Sequence, residues 1–492
     1  MLAVVRAEIA AVLGHQDPGG SAVDADQPLA GLGLDSLTSV ELRNRLGEVV
    51  GAQLPGSLVF DHPTPRALAG HLLEVALHGP GTAGGSPEPA TDYAADIHLP
   101  DDIRPAGDVV RVVADPRAVL LTGATGFLGA FLLRDLLRET RATVHCLVRG
   151  ADAAEAMGRL QANLEWYRLR DEVDRDRLRI VVGDLSLPRL GLAESEFDRL
   201  ARDIDAVYHA GAHVHWLRPY EELKAVNVDG LREILRLAAR HRTVPVHHVS
   251  TVGVFAGAVR EGEPVRETDP TGPVEALPTG YVRSKWVAEQ IVDLARERGL
   301  PVSVHRVDAV SGDAVNGACQ TADFVWLSLK GLLQSGAVPA GLSAAVRPVP
   351  ADYASRAILT ISRRPEADGG TFHLSNHSSL EFAEFVRYLR SVGYRLDELA
   401  PDEWRERVRS DAENAMNPLL DAFEALMSDP GRFYPVFDTA ATRAALDGTG
   451  VSCPPMTPDL YAKYVGFFVE QGYFPAPPVG REAPVAPRAG RG

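Results

Sequence analysis

An apolar run from Ala118 to Leu121 is followed by glycines at G-x-x-G-x-x-G spacing, Gly123, Gly126 and Gly129, and then by apolar residues at helical spacing from Phe131 to Leu137. This pattern predicts a strand buried on both faces, a tight turn and an amphipathic helix. Short apolar runs recur at Thr143–Val148, Arg179–Val182, Ala206–His209, Val244–Ser250 and Val302–Arg306, with helical periodicity between them. Such alternation predicts an α/β core over residues 116–310, a doubly wound parallel sheet with helices on both faces. Its ligands would bind at the C-terminal ends of the strands. Before the core, Leu2–Leu13, a stretch resuming at Ser36 with Leu37, Val40 and Leu46, then Leu54–Phe60 and Pro65–Leu77 predict a small α-helical bundle over residues 1–78. Residues 79–115, opening with Gly79-Pro80-Gly81, are expected to be a flexible linker. Residues 311–478 read as a mostly helical C-terminal lobe that forms one domain with the core. Residues 479–492, rich in Pro, Ala and Arg, read as a disordered tail.

Length and charge narrow the function classes. A chain of 492 residues suggests two to four domains, and a net charge of −16 argues against nucleic acid or an anionic membrane as the main partner. No apolar stretch reaches the roughly 18 residues of a membrane span, and the first residues do not form a secretory signal. Cys146, Cys319 and Cys453 are far apart, which fits a reducing cytoplasmic setting and no disulfide or metal framework. Lysine occurs only at positions 224, 285, 330 and 463, so a lysine at a chemically meaningful position stands out.

The glycine turn between strand and helix predicts a dinucleotide site. Thr122, Gly123, Thr125, Gly126, Phe127, Leu128 and Gly129 would bring backbone N–H groups to a pyrophosphate. The next strand ends in Arg149 rather than a carboxylate, which favours the 2′-phosphate of NADP, with Arg159 as a second contact. Asp184 and Leu185 would bracket the adenine, and Ala210 allows close approach to the cofactor; Asn227 lies on the helix that follows. His209, His213, His215, His247 and His248 lack metal-ligand spacing, so no metal is expected and the histidines read as ordinary buried or surface residues. Thr251 ends a strand in the ligand-facing position. Tyr281 and Lys285 are four apart, hence on one helical face, where the ammonium would lower the phenol's pKa. A polarised phenol and a hydroxyl can together hydrogen-bond a carbonyl oxygen as hydride adds to its carbon.

Two resemblances extend this reading. Gly33-Leu34-Asp35-Ser36-Leu37 with Val40-Glu41-Leu42-Arg43-Asn44-Arg45-Leu46, and Leu58-Val59-Phe60-Asp61-His62-Pro63-Thr64-Pro65, resemble acyl carrier proteins of modular polyketide synthases. This implies a 4′-phosphopantetheine arm on Ser36, installed by a phosphopantetheinyl transferase, and an upstream polyketide synthase module as partner. With the carrier helix starting almost at Met1, the chain is expected to be the C-terminal piece of a larger synthase. The glycine turn, Arg149, Thr251 and Tyr281-x-x-x-Lys285 resemble the extended short-chain dehydrogenase/reductase family, whose core is Rossmann-like. With a carrier in front, the match narrows to thioester reductase release domains. That resemblance implies NADPH-dependent reduction of the carrier-bound acyl thioester to an aldehyde, and on to an alcohol if a second hydride follows. Thr251 and Tyr281 would activate the carbonyl, and Lys285 would hold the nicotinamide ribose and tune Tyr281. Arg306-Val307-Asp308 departs from the Arg-Pro-Gly of many relatives, which leaves the substrate geometry open. A redox-neutral cyclising release domain and an inactive cofactor-binding module are the alternatives; the intact Thr251, Tyr281 and Lys285 weigh against both.

Overall fold

The computed structural model describes residues 1–12, 23–25, 27, 29, 42–43, 45–47, 49–50, 58, 62, 64–78, 91–215, 218–256, 263–411, 413–428 and 435–477. Ser36, the first part of the expected linker and the expected C-terminal tail lie outside the described residues. The chain divides into two units: residues 1–93 with 215–222 and 279–281, and all the rest.

In the first unit, helices α1 (Leu2–Val12) and α2 (Pro65–His78) face each other. Val5 and Ile9 from α1 and Leu68 and Leu72 from α2 share a core with Leu42, Leu46 and Leu58. Proline at the first position of α2 loses no helical hydrogen bond, and Thr64 just before it accepts from the Ala67 amide at 3.2 Å. In the same unit the Tyr93 ring meets Tyr220 edge-on at 5.0 Å.

The second unit is built on a parallel sheet of seven strands among the described residues: β1 (Ala118–Thr122), β2 (Thr143–Val148), β3 (Leu178–Val182), β4 (Ala206–His209), β5 (Val246–Thr251), β6 (Val302–Val307) and β7 (Thr371–Leu374). The order is β7-β6-β5-β4-β1-β2-β3. This is the doubly wound topology, whose order reverses between β1 and β4 and opens a crevice there at the C-terminal strand ends. Helices α3 (Phe127–Glu139) and α4 (Ala153–Trp166) follow β1 and β2, and α5 (Gly280–Glu297) leads into β6. Helix α6 (Ala351–Ser362) packs on α3, where the Ser355 hydroxyl donates to Asp135 at 2.6 Å. No helix of the described residues is long and apolar enough to cross a membrane.

One expectation is corrected. Residues 94–115 were expected in the flexible linker but lie on the reductase unit. Leu99 and Ile103 are buried, and the Arg298 guanidinium donates to the carbonyls of Leu99, Pro100 and Ile103 at 2.6, 2.6 and 3.2 Å. Val110 donates its amide to the Thr243 carbonyl at 2.8 Å. Single apolar residues among prolines and acids have no periodicity, so the anchoring does not register in the pattern. The C-terminal segment is mostly helical and packs with the core. It supplies β7 to the main sheet, with Phe372 opposite His305 and Leu374 opposite Val307, and one hydrophobic core runs from Val119 to Phe474.

Candidate active site

The chain leaves β1 at Thr122 and turns through Gly123 into α3. Gly123 has φ +79°, a conformation open to glycine, and a Cβ there would lie 2.7 Å from the Ala210 carbonyl carbon. The first turn of α3 passes just as close: a Cβ on Gly129 would stand 1.9 Å from the Gly123 oxygen. The Gly126 amide closes the turn on that same oxygen at 2.8 Å. The product is a backbone cradle at a helix N-terminus with no room for side chains, which fits a dinucleotide pyrophosphate. Thr125 is half-buried within it. Phe127 turns its ring into the core, edge-on to Phe131 at 5.6 Å, so only its backbone faces the turn; Leu128 is half-buried against the same core.

Arg149 is exposed at the end of β2. Helix α4 starts beside it with a reciprocal cap: Asp152 accepts from the Glu155 amide at 2.8 Å, and Glu155 from the Ala151 amide at 2.7 Å. Arg159, two turns along, donates to the Arg149 carbonyl at 3.0 Å, which brings the two guanidinium-bearing residues together. Asp184 has its carboxylate occupied by the Ser186 amide and hydroxyl at 2.9 and 2.8 Å. Leu185 wedges against Gly211 and Gly230, where added Cβ atoms would come within 2.7 Å of its Cδ1 and 3.1 Å of its Cβ.

At the C-terminal end of β5, Thr251 accepts from the Gly253 amide at 3.1 Å and keeps its own proton to donate. On α5, Tyr281 stands one turn before Lys285. Lys285 is buried, and its ammonium donates to the Val249 carbonyl at 2.7 Å and to His248 Nε2 at 3.0 Å.

Known proteins share this chain's sequence and fold. Residues 3–72 match the family "Phosphopantetheine attachment site", and residues 121–358 match the family "Male sterility protein". The terminal R domain from the myxalamid PKS-NRPS biosynthetic pathway is 42% identical, with a TM-score of 0.71 over 78% of this chain and 99% of that one. The chain belongs to the terminal reductase (R-domain) family. A thiolation-reductase di-domain from an archaeal non-ribosomal peptide synthetase, 20% identical, shares the fold over 96% of this chain and 98% of its own, with a TM-score of 0.70. A linear gramicidin synthase polypeptide of Brevibacillus parabrevis is 36% identical over 90% of this chain, and the isonitrile lipopeptide synthase of Streptomyces coeruleorubidus 34% over 95%. The chain spans 9% and 32% of those two proteins. As a member of the family it joins a phosphopantetheine carrier to an NADPH-using thioester reductase.

One electrostatic expectation fails in the reductase. The phenol of Tyr281 was expected below its usual range, but desolvation pushes it up to about 12, and the Lys285 ammonium is turned to Val249 and His248. Tyr281 therefore keeps its proton at neutral pH. Burial also brings Lys285 down to about 8, with Glu289 opposing the shift.

Several side chains outside the predicted site set hold this region, of which the sequence left Glu289 unremarked. Glu289, one turn after Lys285, forms a buried ion pair with Arg306 of β6 at 2.7 Å and accepts from Ser250 at 2.5 Å, which locks α5 onto β5 and β6. Arg306, read as part of a substrate loop, is thus an anchor of the helix. Asp308 is buried, its carboxylate accepting from Ser375 at 2.7 Å and the Ala309 amide at 2.8 Å, and burial raises it to about 6. Asn227 lies in a π-helical turn, Ala225–Asp229; it accepts from the His213 amide at 2.7 Å and donates to the His213 carbonyl at 3.1 Å and to Ser284 at 2.9 Å.

Asn163 of α4 donates to the carbonyls of Ala124 and Gly126 at 3.3 and 3.2 Å, and so holds the glycine turn from behind. Its one sequence signal is its place four residues after Arg159, on the same helical face. Replacing it with alanine frees two carbonyls of the cradle. Asn163→Ala is expected to weaken NADPH binding roughly 5- to 30-fold with kcat nearly unchanged, as read by titration of NADPH fluorescence and steady-state kinetics.

Proposed function

We propose that this chain carries out reductive release: it takes an acyl group held as a thioester on the Ser36 phosphopantetheine arm and frees it as an aldehyde. What supports this reading is a dinucleotide cradle after β1, the Thr251 hydroxyl ending β5, and Lys285 tied to β5 from a helix that carries Tyr281 four residues earlier in sequence. When bound, NADPH supplies the hydride that reduces the thioester carbon. Thr122, Gly123, Thr125, Gly126, Phe127, Leu128 and Gly129 would hold its pyrophosphate, Arg149 and Arg159 its 2′-phosphate, and Asp184, Leu185 and Ala210 its adenine side. Tyr281 and Thr251 donate hydrogen bonds to the carbonyl oxygen as charge builds on it. Tyr281 then gives that oxygen a proton and is reprotonated from solvent; the resulting hemithioacetal collapses, its C–S bond breaking as the hydroxyl proton is lost and the arm's sulfur gains one, so that the aldehyde and the free thiol separate. Lys285 holds the nicotinamide ribose and offsets negative charge at Tyr281. A second round would carry the aldehyde to an alcohol. The upstream partner in this reading is a polyketide or mixed peptide–polyketide module in the cytoplasm, with a phosphopantetheinyl transferase loading Ser36.

The test is NADPH consumption against a series of acyl thioesters, with the product identified by mass. Aldehyde at one NADPH per thioester is the expected result, and alcohol at two extends it to four-electron release. Release of a cyclised product without NADPH oxidation overturns the proposal.

A further inference from the structure

We propose that His248 is a positioning residue for the catalytic lysine: its neutral imidazole accepts one hydrogen of the Lys285 ammonium, fixes the direction of that group and favours its charged form. The proposal rests on the reading above that Lys285 belongs to the catalytic set.

The geometry is a row across the sheet. Thr122 of β1 is in register with His209 of β4, and His209 with His248 of β5. Residues in register on neighbouring parallel strands share a face, so the three side chains form one polar line at the C-terminal strand ends. The Thr122 hydroxyl oxygen accepts from the Gly211 amide at 2.9 Å and shares a hydrogen bond with His209 Nδ1 at 2.8 Å. The His209 and His248 rings follow at 5.3 Å. The Lys285 ammonium ends the row, 3.0 Å from His248 Nε2.

Proton accounting then fixes the roles. An ammonium only donates, so His248 Nε2 must be the acceptor and its ring proton must sit on Nδ1. That Nδ1 is buried and has no hydrogen-bond partner among the described residues. A buried polar atom is seldom left so, and here the orphan is the consequence of giving Nε2 to Lys285. Two of the three Lys285 hydrogens are taken, by His248 and the Val249 carbonyl, so the third has a set direction.

The charged and titratable neighbours agree with an acceptor role. From β4, His209 is pushed down to about 3 by burial; from β6, His305 lies well below its ordinary value, as does His248 itself. All three are uncharged at neutral pH and do not compete with Lys285 for positive charge. On α5, Glu289 favours the ammonium and is itself paired with Arg306, and Arg296 lies further along. A phenylalanine would fill the same space as His248, so packing alone does not call for an imidazole.

With four lysines in the chain, ε-13C-lysine labelling gives four titration curves, and Lys285→Met identifies the one from Lys285. In the wild-type chain Lys285 is expected to titrate near 8. In His248→Phe the lost acceptor should move that midpoint, and the basic limb of the kcat profile with it, about one to two pH units toward acid, with kcat at pH 8 down roughly tenfold. His248→Gln places an amide oxygen where Nε2 stood and should restore most of both. Should His248→Phe not fold, His248→Asn, whose shorter amide falls short of Lys285, replaces it with the same expectation. A folded His248→Phe (or His248→Asn) with wild-type titration and profile overturns the proposal, as does a His248→Gln no better than it. If Lys285→Met keeps wild-type turnover, the catalytic reading itself fails; if it is inactive while His248→Phe behaves as wild type, only the role of His248 fails.

Discussion

Tyr281→Phe lowers reductive turnover by roughly 100- to 10,000-fold and leaves NADPH affinity within a factor of about three. The substitution removes one hydroxyl and no packing volume, so α5 and its anchors stay in place. What is lost is the group that donates to the thioester oxygen. Because desolvation holds the phenol at about 12, wild-type Tyr281 keeps its proton throughout the pH range where the protein is studied. Its own titration therefore does not shape the pH profile below pH 10. The basic limb belongs to Lys285, lowered by burial to about 8: the ammonium is present below that pH and is lost as pH rises through it. Wild-type activity is thus expected to fall above pH 8, whereas the residual activity of Tyr281→Phe should be low on both sides. Single-turnover NADPH absorbance with a model acyl thioester, together with calorimetric NADPH binding, measures both quantities. Unchanged turnover in the variant would sink the proposed mechanism.

The parts of this chain that were legible in the sequence are those with strong local patterns. Strands buried on both faces read as continuous apolar runs, and Thr143–Val148 and Ala206–His209 have the bounds that the pattern predicts. The glycine turn was legible because only glycine fits where Gly123 and Gly129 cross. Strand β7 was not, because Thr-Phe-His-Leu is four residues long and lies among helical patterns. Register across strands is also absent from a linear pattern, so the row Thr122–His209–His248 looked like three unrelated polar residues. The same holds for burial: the four-residue spacing of Tyr281 and Lys285 put them on one helical face, but not that desolvation would outweigh the ammonium at the phenol. Arg306 was legible as a residue and misread in role, since its partner Glu289 lies 17 positions away on another element.

That pair carries the largest expected effect on stability. Glu289→Ala should destabilise the reductase by about 3–5 kcal/mol, because it leaves the Arg306 guanidinium buried without its counter-charge. Both side chains are nearly inaccessible, at 4% and 8% exposure, so water cannot replace the lost carboxylate. The remaining partners of Arg306, the Glu267 carbonyl at 3.0 Å and His373 Nε2 at 3.3 Å, are neutral. Ser250 loses its acceptor as well. Denaturant unfolding followed by NADPH-site fluorescence reads the reductase transition apart from the carrier. The double variant Glu289→Leu with Arg306→Met separates charge from packing: removing both members leaves no buried ion, so it should be less destabilised than Glu289→Ala alone. Turnover follows a different rule. Glu289 lies one turn beyond Lys285, so the double variant regains stability while α5 loses its polar tie to β5 and β6, and kcat should stay depressed. A Glu289→Ala chain within about 1 kcal/mol of wild type would mean that the pair does not anchor the catalytic helix.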